Sequence, residues 1–158
     1  MKKLLTVLLS IIMTVSVLGG TTLTSVSAAE TIEISSVADL MYIADSPDAN
    51  FYLLNDIDAE DFTWTSVPSF SGNFYGNGYS VSINGAPLFG TIESGATVQD
   101  LSVWGTNVSG ETNVGVIAGT IKGTVRNCYA MGYANAASVV GGLAGLIDGG
   151  TVSDCYAS

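Results

Sequence analysis

Thr124-Val125-Arg126-Asn127-Cys128-Tyr129-Ala130 returns 27 residues later as Thr151-Val152-Ser153-Asp154-Cys155-Tyr156-Ala157. It also returns 27 residues earlier as Thr97-Val98-Gln99-Asp100-Leu101-Ser102-Val103. The copies agree as Thr, Val, a variable residue, Asp or Asn, then Leu or Cys. A fixed period of this length is the signature of a solenoid, in which each repeat buries its apolar face only against its neighbours. Within one copy, strand alternation turns Val125 inward and Arg126 outward. Asn127 suits the left-handed bend that turns a corner, and Cys128 and Ala130 then face inward with Tyr129 outward.

The rest of the chain follows this reading. Leu88-Phe89-Gly90, Ile117-Ala118-Gly119 and Leu143-Ala144-Gly145 form a second recurring element, each followed by Thr-Val after a gap of variable length. Constant strands joined by elastic gaps mean a strand core with surface loops. Glycine is abundant, at 19 residues, and Val, Ile and Thr dominate the repeats, which suits strands and bends. Gly76-Asn77-Gly78 precedes the alternating Tyr79-Ser80-Val81-Ser82-Ile83 and is read as a tight bend between two faces rather than a hairpin turn. Phe51-Tyr52-Leu53-Leu54-Asn55-Asp56-Ile57-Asp58 reads as the first rung, followed by a loop with Trp64, Pro68 and Phe70. Ahead of it lies a short strand, Thr31 to Ile34, and then a short helix with Ser36 as N-cap and Asp39 three residues on. Val37, Leu40, Ile43 and Ala44 share one face of this helix, which predicts a cap over the open end of the core. The fold class expected is all-β: a parallel β-helix with a short N-terminal capping helix.

Lys2 and Lys3, the apolar run Leu4 to Leu18 and the small residues Ser27-Ala28-Ala29 read as a secretory signal peptide over residues 1–29. The run is short for a membrane span and is broken by Thr6, Ser10, Thr14 and Ser16. No membrane insertion is expected after cleavage, and the product is expected to be secreted or held at the cell envelope. Residues 30–158 keep all 14 acidic residues but only Lys122 and Arg126 as basic ones, a net charge of −12. Such a surface repels phosphate backbones, which excludes nucleic acid as a partner, and it has no attraction for anionic membranes.

The segments Val140-Gly141-Gly142-Leu143-Ala144-Gly145 and Gly150-Thr151-Val152-Ser153-Asp154-Cys155-Tyr156-Ala157 closely resemble the GLUG motif repeat. Repeats are assigned to about 114–132 and 140–158, within a β-helix domain spanning 30–158. Val37 to Leu40, Asn55 to Asp58, Phe74 to Gly78 and Leu88 to Gly90 resemble the lead-in that precedes such repeats. The resemblance implies a right-handed parallel β-helix in an exported bacterial protein, either adhesin-like or flanking the zinc peptidase domain of IgA1-protease-type enzymes. The chain contains no His, so the His-Glu-x-x-His zinc site of those peptidases has no ligands here. A longer product is one expectation, because the repeats run to Ser158 without a visible cap or wall-sorting signal.

No catalytic set, metal site or cofactor is expected. Cys128 and Cys155 on adjacent turns are read as stacked buried thiols or as a disulfide; neither has a His to activate it. Asp56, Asp58, Glu60 and Asp61 form the densest acidic cluster, read as solvated residues, with calcium as the alternative. A glycan-processing β-helix enzyme is the alternative from another class, but Lys122 and Arg126 are the only cations left to hold an acidic substrate. Tyr129 and Tyr156 would stack outward, joined by exposed Trp64 and Trp104, as the candidate surface for a protein or carbohydrate at the cell surface. Asn107-Val108-Ser109 matches a glycosylation acceptor but is set aside for want of any other sign of a eukaryotic secretory route. The uncapped last rung, Cys155 to Ser158, predicts self-association through the C-terminal edge. The function expected is a non-catalytic surface-interaction or adhesion module, or the leading part of a larger surface protein, with a structural spacer as a further reading.

Overall fold

A computed structural model describes residues 29–158, so the signal peptide expected over 1–29 lies, but for Ala29, outside the described residues. The chain enters as β1 (Thr31–Ile34), then α1 (Val37–Met41) and a 3-10 turn (Tyr42–Ala44). Four turns of parallel solenoid follow. The first comprises β2 (Asn50–Leu53), β3 (Ile57–Thr63) and β4 (Val67–Phe70), and the second β5 (Asn73–Tyr75), β6 (Ser80–Asn84) and β7 (Phe89–Ile92). The third comprises β8 (Thr97–Gln99), β9 (Ser102–Gly110) and β10 (Ala118–Ile121). The fourth comprises β11 (Thr124–Arg126), β12 (Tyr129–Ala136) and β13 (Ala144–Ile147), and β14 (Thr151–Ser153) and β15 (Tyr156–Ala157) begin a fifth.

Equivalent strands stack into three parallel sheets, in the orders β1-β2-β5-β8-β11-β14, β3-β6-β9-β12-β15 and β4-β7-β10-β13. The repeat seen in the sequence is the register of the first face. Thr97, Thr124 and Thr151 align, as do Val98, Val125 and Val152. Asn77-Gly78 joins β5 to β6 in a different sheet, a corner between faces and not a hairpin. Its backbone is left-handed at both residues, φ 54° and 82°.

Two expectations are corrected. The first rung is β1, which pairs in parallel with β2, and the stretch Phe51 to Asp58 bends around a corner between two faces rather than forming one strand. The supposed loop of Pro68 and Phe70 is β4, the third face of the first turn, paired with β7 across 22 residues at Val67 and Phe89. A Pro is tolerated there because β4 is the edge of that sheet, with no strand among the described residues beneath it to receive the missing N–H.

The interior is apolar throughout: among the described residues no polar or charged side chain is buried. Its bulk lies in the first two turns, where Phe51, Phe70, Phe89 and Phe74 form a closed ring. Successive centroids lie 6.2, 4.7, 5.8 and 6.4 Å apart around it, within the range of favourable aromatic pairs. Later turns fill the same ladders with smaller residues, Val98, Val125 and Ala118. Leu40 and Ile43 are fully buried, so α1 and the turn after it cover the N-terminal end. Ser36 caps α1 by accepting from the Asp39 N–H at 3.3 Å, and Asp39 Oδ2 accepts from the Ser35 N–H and both serine hydroxyls. Partial burial of the Asp39 carboxyl works against ionisation, but these hydrogen bonds outweigh it and hold the group below its usual range.

Because the phenylalanine ring spans two turns, Phe89→Ala opens a cavity no neighbour can refill. Chemical denaturation is expected to show a loss of about 3–5 kcal/mol, against under about 0.5 kcal/mol for Thr120→Ala on the outer face of the same sheet.

Candidate functional site

Side chains that face outward on one rung sit directly above those of the rung below, at a spacing of about 4.8 Å. Any charge at an outward position therefore meets its own repeat. The corner between the first and second faces shows how the sequence answers this. Its left-handed residues are Asn77, Asp100, Asn127 and Asp154, with φ between 50° and 54°. Only Asn, Asp and Gly adopt this backbone readily. Over the last three of these turns the Asn127 amide stands between the Asp100 and Asp154 carboxylates, so no two of these three aligned positions are both charged on neighbouring rungs.

The alternation is also a hydrogen-bond device. Asn127 Nδ2 donates to Asp100 Oδ1 at 2.6 Å, Gln99 Nε2 donates to Asp100 Oδ2 at 2.7 Å, and Arg126 Nη2 donates to Gln99 Oε1 at 2.6 Å. The Asn127 and Gln99 donors, aided by the nearby Arg126 charge, hold the Asp100 carboxyl below its ordinary 3.8.

Next to this corner, on the second face, Ser80, Ser102, Tyr129 and Tyr156 share one register column. Tyr129 and Tyr156 stack with centroids 5.5 Å apart and planes 6° from parallel. Tyr129 Oη and Ser158 Oγ are 2.8 Å apart. Trp104 and Met131 align in the adjacent column, and Trp104 is 46% and Tyr156 64% exposed. The pair of tyrosines read from the sequence is thus brought together with Trp104 on one outward face. Trp64 is not part of it. Only 4% exposed, it packs in the core and donates its indole N–H to the Leu88 carbonyl at 3.2 Å. The third face pulls it inward, a long-range effect with no local signal. Sequence reading also missed Met131 and Ser102 as members of this surface. Ser102 was identifiable from the 27-residue alignment that pairs it with Tyr129.

Between the corner ladder and the tyrosines runs an open groove of about 330 Å³, lined by Gly78, Asp100, Ser102, Asn127, Tyr129 and Asp154 among others. Leu101, Cys128 and Tyr156 complete its lining.

Cys128 and Cys155 occupy equivalent positions of successive turns, and both are free thiols. Each lies over the carbonyl two residues before it, Cys128 Sγ 3.2 Å from Arg126 O and Cys155 Sγ 3.1 Å from Ser153 O. Burial pushes the Cys128 thiol up to about 12, which leaves it protonated and a poor nucleophile at neutral pH. The acidic cluster of the first turn faces outward: Asp56, Asp58, Glu60 and Asp61 are all exposed. Asp56 Oδ1 accepts from the Ser80 N–H and hydroxyl one turn on, Glu60 Oε1 from the Thr106 hydroxyl two turns on, and Asp58 Oδ1 from the Glu60 N–H, so three of the four tie the solenoid's own turns. Among the described residues no three His, Cys, Asp or Glu side chains come together as metal ligands. No helix among them is long and apolar enough to cross a membrane.

Among known proteins, the chain is 30% identical to Halomucin from Haloquadratum walsbyi over 158 aligned residues. The alignment takes in 81% of this chain and spans 2% of that protein's length. No family model and no solved structure matches the chain.

The corner ladder yields a direct test. Asn127→Asp places three carboxylates on successive rungs and removes the amide donor. Thermal or urea unfolding at neutral pH is expected to show a loss of about 1–2 kcal/mol. The Asp100 contribution is complete above its unfolded value and is lost as pH falls through and below about 4. The cost of Asn127→Asp therefore shrinks over that same acid range, and a cost that stayed constant from pH 7 to pH 3 would contradict the charge argument.

Proposed function

We propose that this chain is an exported, non-catalytic β-helix repeat module of GLUG type that serves surface interaction or adhesion, as a part of the cell surface or of a secreted product. The observation that carries the reading is the outward stack of Tyr129 and Tyr156 beside Trp104, on a rigid face whose rungs hold these rings in register. Exposed aromatics grouped on one face are the usual mark of an interaction surface. The similarity to a segment of Halomucin supports a module that can be built into a much longer chain. A glycan-processing enzyme needs convergent acid and base groups. Here Asp56 accepts from Ser80 of the next turn and Asp58 from the Glu60 N–H, so both serve the fold, which favours the binding reading.

In binding assays, labelled residues 30–158 are expected to attach saturably to envelopes of the producing cells, and Trp104→Ala combined with Tyr156→Ala is expected to weaken attachment about tenfold or more. Hydrolysis of any polysaccharide that disappears in Asp58→Ala would instead establish the enzyme reading.

The C-terminal edge supports a second property. β13, β14 and β15 each stand last in their sheets among the described residues, and Leu146 and Ile147 within β13 are 42% and 52% exposed. An open apolar rung of this kind is a template for another strand. We accordingly propose that the chain self-associates there, whereas α1 closes the opposite end. Light scattering is expected to show mass rising with concentration, and a monomer over a hundredfold concentration range would refute it.

A further inference from the structure

The Tyr156–Tyr129 stack stops abruptly. One rung below Tyr129, the same register position holds Ser102, and below that Ser80. Tyr156 covers one face of the Tyr129 ring, while on the other side the column carries only a small hydroxyl side chain. The groove between the corner ladder and the tyrosines reaches into this step, since Gly78, Asp100, Ser102 and Tyr129 all line it. A Cβ built on Gly78 would meet nothing within 4 Å, so the space beside the step is open to a ligand.

The groups around the step define what fits. The ring face of Tyr129 accepts an apolar CH surface. Asp100 has each carboxylate oxygen occupied by one donor, Asn127 or Gln99, and each retains a further lone pair. Ser102 adds a hydroxyl. Carboxylates Asp100 and Asp154 on the same wall repel phosphate, sulfate or uronate groups, and the one nearby cation, Arg126, already donates to Gln99. The ligand must therefore be a ring with an apolar face and several outward donors, and without negative charge.

Resting on the surface-interaction reading, we propose that the step beneath Tyr129 is a subsite for a neutral pyranose ring of a glycan, stacked on Tyr129 as the missing next member of the tyrosine column. Its hydroxyls donate to Asp100 and exchange hydrogen bonds with Ser102. The groove continues along the solenoid axis past Asn127 and Asp154, so the rest of a linear glycan runs along the axis, across the rungs rather than along a strand.

The test titrates residues 30–158 with neutral probes: methyl glucosides, galactosides and mannosides, N-acetylglucosamine, and their linear tetramers, followed by NMR shifts of Asp100, Ser102 and Tyr129. Polygalacturonate serves as the anionic control. At least one neutral tetramer is expected to shift these signals saturably, and polygalacturonate none. Ser102→Tyr fills the step with the residue that the next two rungs already carry, so the fold is retained while binding falls about tenfold or more. Unchanged thermal unfolding of this variant checks that the loss is local. Silence of every neutral probe at millimolar concentration, or equal binding by Ser102→Tyr, overturns the subsite. Envelope attachment that persists in Ser102→Tyr while no neutral probe binds sinks the glycan subsite and leaves the surface-interaction reading standing. Absence of envelope attachment with saccharide binding intact does the reverse.

Discussion

Every part of this molecule depends on vertical stacking: each side chain sits about 4.8 Å from the side chain at the same position of the next rung. That constraint treats the three kinds of residue differently. Apolar residues gain from meeting their own kind, which is why the Val98-Val125-Val152 ladder and the phenylalanine ring carry the interior. Charged residues lose by it, and the corner resolves the conflict by alternating amide with carboxylate. Aromatic residues facing solvent gain by stacking on one another, which builds a column of rings wherever two successive rungs carry them. Tyr52 and Tyr75 show the same behaviour on the first face, 4.5 Å apart.

The core is graded along the axis. All four ring phenylalanines lie in the first two turns, next to the end covered by α1, and the later turns bury only aliphatic side chains and Cys128. Gly105 and Gly132 continue the trend to smaller side chains on the second face, in the column that holds Ile83. They align in register, and Gly132 holds φ 138° with the carbonyl of Gly105 where its Cβ would be. The aromatic-rich end is thus the one that α1 covers, and the opposite end is where the tyrosine column and the exposed Ile147 lie. The aromatic packing is concentrated away from the tyrosine column, an arrangement in which outward residues there can change without disturbing the phenylalanine ring.

What could be read from the residues alone was whatever repeats locally. The Thr-Val-x-Asp/Asn motif specified the register of the first face, and the left-handed corner followed from the Asn and Asp preference for that backbone. The capping role of Ser36 and Asp39 was equally local. What escaped was set by pairing at a distance. Val67 to Phe70 looks like a loop until β7 and β10 are laid above it, and Trp64 looks exposed until the third face closes over it. The candidate surface was half legible. Tyr129 and Tyr156 were evident from the period, whereas the step beneath them required knowing that Ser102 lies directly below Tyr129 with a groove beside it.

Backbone NMR on residues 30–158 tests the central claim most directly, through contacts between strands that lie one turn apart in the chain. Parallel rungs predict amide-to-α-proton contacts linking the Val98, Val125 and Val152 strands in register, together with those linking Phe51 to Phe74. Antiparallel contacts between chain neighbours, such as Phe74 against Val81 across Asn77-Gly78, would mean a hairpin at that corner and would contradict the solenoid.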